Sequence, residues 1–461
     1  MMIPNRLSMT MSAFTLFSAS EPAGPEHDAQ NELVQNPRFE PEGSGIPAPW
    51  RFQPPAWNAA ACTVRPGERG GLEFSAPERP WAVARVEQEI AEIEAGRWYA
   101  VRAAGSVCGV PNPHQSLMLR LTWLSQGRAL HPAGVLVRGP ALRGRTFEFQ
   151  DLLQAPDGAD SARLALDVRW LRGGRCTWRE VGLSPAPPPP PRTVRVGTVR
   201  LVPRDSTPEN NLRLFLDLVE TAGKNGVDIV CLPETLTVPG TGKRAWDCAE
   251  PIPGPSTERL ADAARKRRIW IVAGLPEARG ETLYNTAVLL DRNGRLAGCY
   301  RKVHLPREEW LQGITPGLDY PVFETDFGRI AMAVCYDWFF PEATACFAMN
   351  GAEIVFAPTW GNTWPDQDGR VEGETTFRVR ARDNGVYMVP SVYSGNSLII
   401  DPLGRILASS HDGEGLVTAD IDLERRSVLP WVGEWRAIGP RDRMPESYSR
   451  LTAPHRDPDI G

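Results

Sequence analysis

Five consecutive prolines, Pro187 to Pro191, divide this chain into two stretches with different hydrophobic rhythms. Proline fixes φ and has no backbone N–H, so such a run enters neither a helix nor a sheet ladder. It takes the extended polyproline II form and makes a stiff spacer of roughly 16 Å, at about 3.1 Å per residue. A proline-rich partner motif is the alternative, disfavoured because the run lies between two patterned regions. The reading is a disordered leader over 1–29, a β domain over 30–184, the linker over 185–192, an α/β domain over 193–440 and a tail over 441–461. A length of 461 residues suits two such domains.

Before the prolines the rhythm has period two. Leu164, Leu166, Val168 and Trp170 alternate with Arg163, Ala165, Asp167 and Arg169, and Leu117, Leu119, Leu121 and Trp123 repeat the pattern. Half-buried antiparallel strands read this way, and several of them together predict a β-sandwich. After the prolines, strands alternate with helices, which predicts an α/β domain. Val194–Val199, Val227–Leu232, Ile269–Ala273, Arg329–Val334 and Ile354–Ala357 read as strands. Thr207-Pro208 reads as a helix cap, Gly223 as that helix's stop and Ser256 as the cap of a second helix. Asn293-Gly294 predicts a hairpin between Tyr284–Leu290 and Arg295–Arg301.

The charge is −5, with no block of one sign, which points away from nucleic acid and anionic membranes. No apolar run is long enough to span a bilayer. Arg6 followed by a Ser- and Thr-interrupted apolar stretch is a poor signal-peptide core, so a cytoplasmic protein is expected, with export as the alternative. The eight cysteines show neither C-x-x-C nor zinc spacing and read as free thiols; no metal or cofactor is implied.

Three reactive side chains fall just past the ends of predicted strands. Glu234 follows Cys231-Leu232-Pro233, Lys302 follows Tyr300-Arg301, and Cys335 follows Ala333-Val334. Ligand sites of α/β domains gather at strand carboxyl ends. A lone cysteine ending an apolar strand is usually a small core residue, as Cys231 and Cys346 are read. Three coincidences at once argue otherwise for Cys335. His304 tempts as a base for the thiol, but its Val-His-Leu setting fits a structural histidine.

Cys231-Leu232-Pro233-Glu234, Tyr300-Arg301-Lys302-Val303-His304-Leu305 and Val334-Cys335-Tyr336-Asp337 with Phe340-Pro341-Glu342 resemble, in this order, the nitrilase superfamily of carbon–nitrogen hydrolases. The resemblance covers about 193 to 440 and implies an αββα fold, a homodimer and a cysteine thioester mechanism without cofactor. It implies Cys335 as nucleophile, Glu234 as base and Lys302 as the adjacent cation. It also implies a second glutamate, for which Glu309 is preferred over Glu308 by its spacing from Lys302, to orient Lys302 and the substrate. The family's arginine before Phe-Pro-Glu is Phe339 here, which should alter the pocket wall. Residues 30–186 resemble jelly-roll, galactose-binding-like modules through Asn36-Pro37-Arg38-Phe39 and Cys176-Thr177-Trp178.

Proton transfer from a free thiol to a free carboxylate spans about 4 pKa units and costs roughly 5–6 kcal/mol, so the site must close that gap by burial and charge. Lys302 and the backbone N–H of Tyr336 would hold the oxyanion. Trp310, Trp338, Trp360, Asn362 and Trp364 lie in the loops expected to line the substrate pocket, and Arg378, Arg380 and Arg382 either bind a carboxylate or pack as a helix face. Cys335-Tyr336-Asp337 resembles the amidase and carbamoylase branches, since true nitrilases more often carry Trp-Glu after the cysteine. The expected substrate is therefore a small linear amide or N-carbamoyl amine. Nitrile hydrolysis and acyl transfer are alternatives. An alternative of another class is a glycan-binding protein with a decayed enzyme; Trp98, Trp123 and Trp170 would then stack on sugars, although alternating positions make core residues.

Overall fold

The computed structural model describes residues 31–453 except 42, 44, 58–60, 77–80, 362–371, 412 and 430. The expected leader, Asn362 and Trp364 lie outside the described residues. The chain divides into two compact units, Met1–Pro189 and Pro190–Gly461.

The first unit consists of two antiparallel sheets. One runs in the order Arg51–Gln53, Val83–Ile90, Ser161–Arg169, Leu117–Ser125 and Arg128–Ala129, with Val135–Leu136 also paired to Leu117–Ser125. The other runs Thr63–Pro66, Leu72–Ser75, Arg175–Ala186, Trp98–Cys108, Thr146–Gln154 and Ala141–Arg143. Alternation buries one face of each, so that Leu119, Leu164 and Leu166 of the first meet Val101, Phe147, Phe149 and Trp178 of the second in one core. The Trp178 ring lies 4.9 Å from Phe147 and 5.5 Å from Phe149.

Two details differ from the sequence reading. The strand carrying Leu164 stops at Arg169; Trp170 turns out of it with φ 55° and is only half-buried, as is Trp98, whereas Trp123 belongs to the core. The strand Arg175–Ala186 takes in Pro185 and Ala186, which the sequence reading assigns to the linker. Beyond Trp178 it no longer pairs with Leu72–Ser75, so the missing N–H of Pro185 breaks no ladder on that side.

The second unit stacks two sheets of the same pattern. In the first, Thr193–Arg200, Ile229–Cys231 and Trp270–Arg279 are parallel, and Thr282–Leu290 and Leu296–Arg301 follow antiparallel. In the second, Arg329–Met332, Ile354–Gly361 and Tyr387–Ser394 are parallel, and Leu398–Ile400 and Ile406–Ser409 follow antiparallel. Helices Pro208–Lys224 and Pro255–Arg267 cover the outer face of the first sheet, with Phe215, Val219 and Leu260 against Val230 and Ile271. Helices Pro341–Met349 and Glu372–Asn384 cover the second through Phe347, Phe377 and Ala381. Val196, Ile229 and Val272 share a core with Ala331, Val355 and Met388 between the sheets. The architecture is helix, sheet, sheet, helix.

Thr207 caps the first helix, its hydroxyl accepting from the Asn210 N–H at 3.2 Å. Gly223 does not stop that helix, which runs to Lys224. A Cβ at Gly223 would lie 2.5 Å from Arg267 Cβ, so the glycine is the point where the two helices approach closely. Ser256 is not the second helix's cap: Gly254 holds that position, and the Ser256 hydroxyl donates to Glu250 at 2.7 Å. Among the described residues no helix is long and apolar enough to cross a membrane.

Gly105 is a sharp test of the first core. A Cβ there would lie 2.2 Å from the Thr177 carbonyl oxygen and 2.4 Å from Phe147 Cζ. Gly105→Ala is expected to destabilise the first unit by about 1–3 kcal/mol, read as a lower denaturant midpoint.

Candidate active site

The repeated sheet pattern brings the reactive residues together. Glu234 follows the second parallel strand of the first sheet, and Lys302 comes directly after that sheet's strand Leu296–Arg301. Cys335 follows the first parallel strand of the second sheet, and Trp360 lies near the end of its second. Glu234 and Lys302 are almost completely buried, and Cys335 is partly covered.

Lys302 is the hub. Its ammonium donates to Glu234 Oε1 at 2.9 Å and to Glu309 Oε1 at 2.8 Å. Glu308, in the same short helix, is exposed. Glu234 Oε2 accepts the Trp360 backbone N–H at 2.8 Å, and Tyr393 donates its hydroxyl to the Glu234 carbonyl at 2.8 Å. The Cys335 thiol lies near enough to the Glu234 carboxylate and the Lys302 ammonium to feel both charges. Gly274 lets this carboxylate sit where it does, since a Cβ there would lie 2.6 Å from Glu234 Cα.

Among the described residues, the electrostatics follow from one cation between several acids. Burial, then the Glu234 charge, pushes the Cys335 thiol up to about 12, and Lys302 offsets only part of this. Burial alone would lower Lys302, but Glu234, Cys335 and Glu309 outweigh it and raise the ammonium above its ordinary value. Burial raises Glu309 to about 7 against the pull of Lys302, and the Glu234 charge adds to the rise. The resting site therefore holds a neutral thiol beside an ammonium.

Cys335 has φ 43°, in the left-handed region that ordinary side chains avoid, at the entry to the 3-10 turn Cys335–Phe339. Thr235, beside Glu234, has φ 42°. The cysteine turn is braced from below. Asp337 accepts from Tyr300 Oη at 2.7 Å, from the His304 backbone N–H at 2.9 Å and from the Val334 N–H at 3.0 Å. His304 Nδ1 also meets Asp337 at 2.8 Å, and its ring stacks on Phe340 at 3.9 Å. His304 thus ties the lysine segment to the cysteine segment. Arg380 donates to the carbonyls of Trp338 and Phe339, both at 3.1 Å, and Arg378 to that of Gly404 at 2.9 Å, so backbone oxygens rather than a free carboxylate occupy these two guanidinium groups.

The tryptophans separate. Trp338 is buried and stacks on Phe339 at 4.1 Å and against Phe377 at 5.0 Å, a core position rather than a wall of an open pocket. Trp310 is 55% exposed, and Trp360 is 44% exposed with its ring edge-on to Tyr393. Phe339 is 42% exposed, so the residue that departs from the family pattern faces outward. Cys231 is fully buried, whereas Cys346 is only half-buried.

The sequence reading misses Asn285. Its Nδ2 donates to Glu234 Oε1 at 2.7 Å and to Glu309 Oε1 at 3.0 Å. The signal was present: the Asn293-Gly294 hairpin sets Thr286 opposite Arg301, which puts Asn285 beside Lys302.

A family model described as carbon–nitrogen hydrolase matches residues 195–430, just over half of the chain. The chain belongs to the carbon–nitrogen hydrolase family. The Omega-amidase NIT2 of Xenopus tropicalis is 32% identical over 233 residues, 46% of this chain and 83% of that protein. A nitrilase of Pyrococcus abyssi is 33% identical, covering 50% of this chain and 90% of its own length. The beta-ureidopropionase of Arabidopsis thaliana is 38% identical over 37% of this chain and 46% of its own length. Among solved structures, an amidase from Nesterenkonia sp. is 25% identical over 56% of this chain and 96% of that chain, with a TM-score of 0.46. This carbon–nitrogen hydrolase is an amidase-like enzyme of the nitrilase superfamily.

Because the hydrolase's Cys335 thiol is pushed up to about 12, it stays protonated through neutral pH. The difference in thiolate ultraviolet absorbance between wild type and Cys335→Ala is expected to be nil near pH 7 and to emerge only in strongly alkaline solution.

Proposed function

We propose that Cys335 attacks the carbonyl of a small linear amide or N-carbamoyl amine, with Glu234 as general base and acid and Lys302 as the fixed cation. The observation that carries this is the buried Lys302 ammonium held between Glu234 and Glu309, with the Cys335 thiol within range of the Glu234 and Lys302 charges.

A free Cys335 thiolate would be a third anion around one ammonium. The thiol proton therefore passes to Glu234 as the S–C bond forms. The carbonyl π electrons move to oxygen, where Lys302 and the Tyr336 N–H, at the open start of its turn, stabilise them. The C–N bond then breaks and Glu234 returns the proton to the leaving amine. Water attacks the resulting thioester, giving its proton to Glu234, and collapse releases the acid and the thiolate, which regains the proton. Among the described residues Glu309 Oε2 is buried without a partner, which supports a role in holding a substrate N–H or the attacking water.

The Cys335-Tyr336-Asp337 sequence and relatives named omega-amidase and beta-ureidopropionase support amides and ureides over nitriles. The exposed Phe339, Met349 and Val379 on and beside the outer helices support a homodimer formed through that face. The first unit is read as a jelly-roll-like accessory module; its paired sheets support that. A cytoplasmic site of action and the boundaries 30–184 and 193–440 complete the reading.

Ammonia release across amides, ureides and nitriles tests it. Cys335→Ala is expected to lose at least about 10³-fold in kcat/KM on the best substrate. Full turnover by Cys335→Ala would refute the mechanism, and nitriles as best substrates would refute the substrate class. The pH dependence offers a further check. With Glu309 raised to about 7, its carboxyl is expected to set an acidic limb of kcat/KM near that pH, activity falling as it protonates. Glu309→Gln removes the titrating group, so the limb near that pH should disappear.

A further inference from the structure

Asn285 closes a ring at the centre of the site. Its strand neighbour Lys302 donates its backbone N–H to the Asn285 carbonyl at 2.9 Å. Asn285 Nδ2 places its two hydrogens on Glu234 Oε1 and Glu309 Oε1, at 2.7 and 3.0 Å. Lys302 Nζ donates to the same two oxygens at 2.9 and 2.8 Å. Two donors and two acceptors thus alternate around a closed circuit, and the Asn285 residue is buried.

Counting lone pairs gives this circuit a consequence. A carboxylate oxygen has two acceptor sites. Glu234 Oε1 has both engaged, by Asn285 and Lys302. Glu234 Oε2 has one engaged, by the Trp360 N–H. Among the described residues, the remaining site on Oε2 is the one left open to a proton. We propose that Asn285 is a positioning residue that directs the Cys335 proton to Oε2 of Glu234 by occupying the second acceptor site of Oε1. This rests on the reading of Glu234 as the base for Cys335.

A second effect follows. Hydrogen bonds to an ionised carboxylate favour its charged form. Asn285 therefore works with Lys302 to hold Glu309 towards its ionised form, against burial and the Glu234 charge. The titratable groups that face the pair are Lys302, Cys335 and Tyr393. Arg301 and Glu277 pair with each other, and Thr286 donates to Glu277 at 2.6 Å. Alternation puts Thr286 on the opposite face of the strand from Asn285, so that ion pair is untouched by a change at Asn285.

Asn285→Ala removes both donors, and Asn285→Asp keeps the side chain's size while adding a third acid. The test compares both with wild type in kcat/KM against pH on the best amide, and in the rate at which iodoacetamide alkylates Cys335 against pH, mapped by peptide mass. Both variants are expected to lose about 10–100-fold in kcat with KM changed less than about threefold. The acidic limb of both profiles should move up by about one pH unit, further for Asn285→Asp. Thermal melting identifies a variant that has not folded, and the alkylation profile of the remaining variant then decides. A limb that stays in place while kcat falls, or an effect on KM alone, overturns the role given to Asn285. Wild-type alkylation that shows no limb, or that falls on another cysteine, overturns the reading of Glu234 and Cys335 instead.

Discussion

One buried ammonium shared by two carboxylates organises the second unit. Lys302 lies within 2.9 Å of Glu234 and 2.8 Å of Glu309, out of reach of water. A charge removed from water is tolerable only when paired and hydrogen-bonded. Each acid needs the lysine, and the lysine needs both acids. Cys335 is added to this balance as a neutral thiol, because among the described residues no further positive charge is at hand to hold a thiolate. In the proposed mechanism the same shortage makes proton transfer to Glu234 part of the attack rather than a step before it.

The two sheets supply the precision this balance demands. Each carries three parallel strands followed by an antiparallel pair, and the reactive groups project from both. Strand-end residues on a packed scaffold hold their geometry better than residues of a long loop. The two sheets share one core through Ile229, Val272, Ala331 and Val355, so a shift of Cys335 against Glu234 would have to open that core. Asp337 adds a lock of its own, gripping Tyr300 and His304 on the lysine segment and Val334 beside the cysteine.

Much of this was legible in the residues. Period-two alternation marked the sheets of the first unit, since a half-buried strand must alternate. The hairpin at Asn293-Gly294 was plain, because few dipeptides suit such a turn. The order of Glu234, Lys302 and Cys335 at strand ends was readable too, as was the structural role of His304. What escaped depended on tertiary neighbours. Gly223 looked like a helix stop, but it serves the approach of Arg267 from another helix. Trp338 looked like a pocket residue by its closeness to Cys335 in the chain, yet the turn directs it into the core against Phe377. Asn285 carries no motif, and its place follows only from strand register. The repetition between the two sheets is a matter of topology, with no repeat in the residues to announce it.

The central claim is that the acyl group of the substrate passes through a covalent bond to Cys335. Acid quenching of the enzyme during turnover of its best amide, followed by intact-mass and peptide-mass analysis, tests it most directly. The account predicts a mass increase equal to the acyl group, located on the peptide that contains Cys335. Rapid turnover with the adduct on a different residue, or with the same turnover retained after Cys335→Ser, would contradict it.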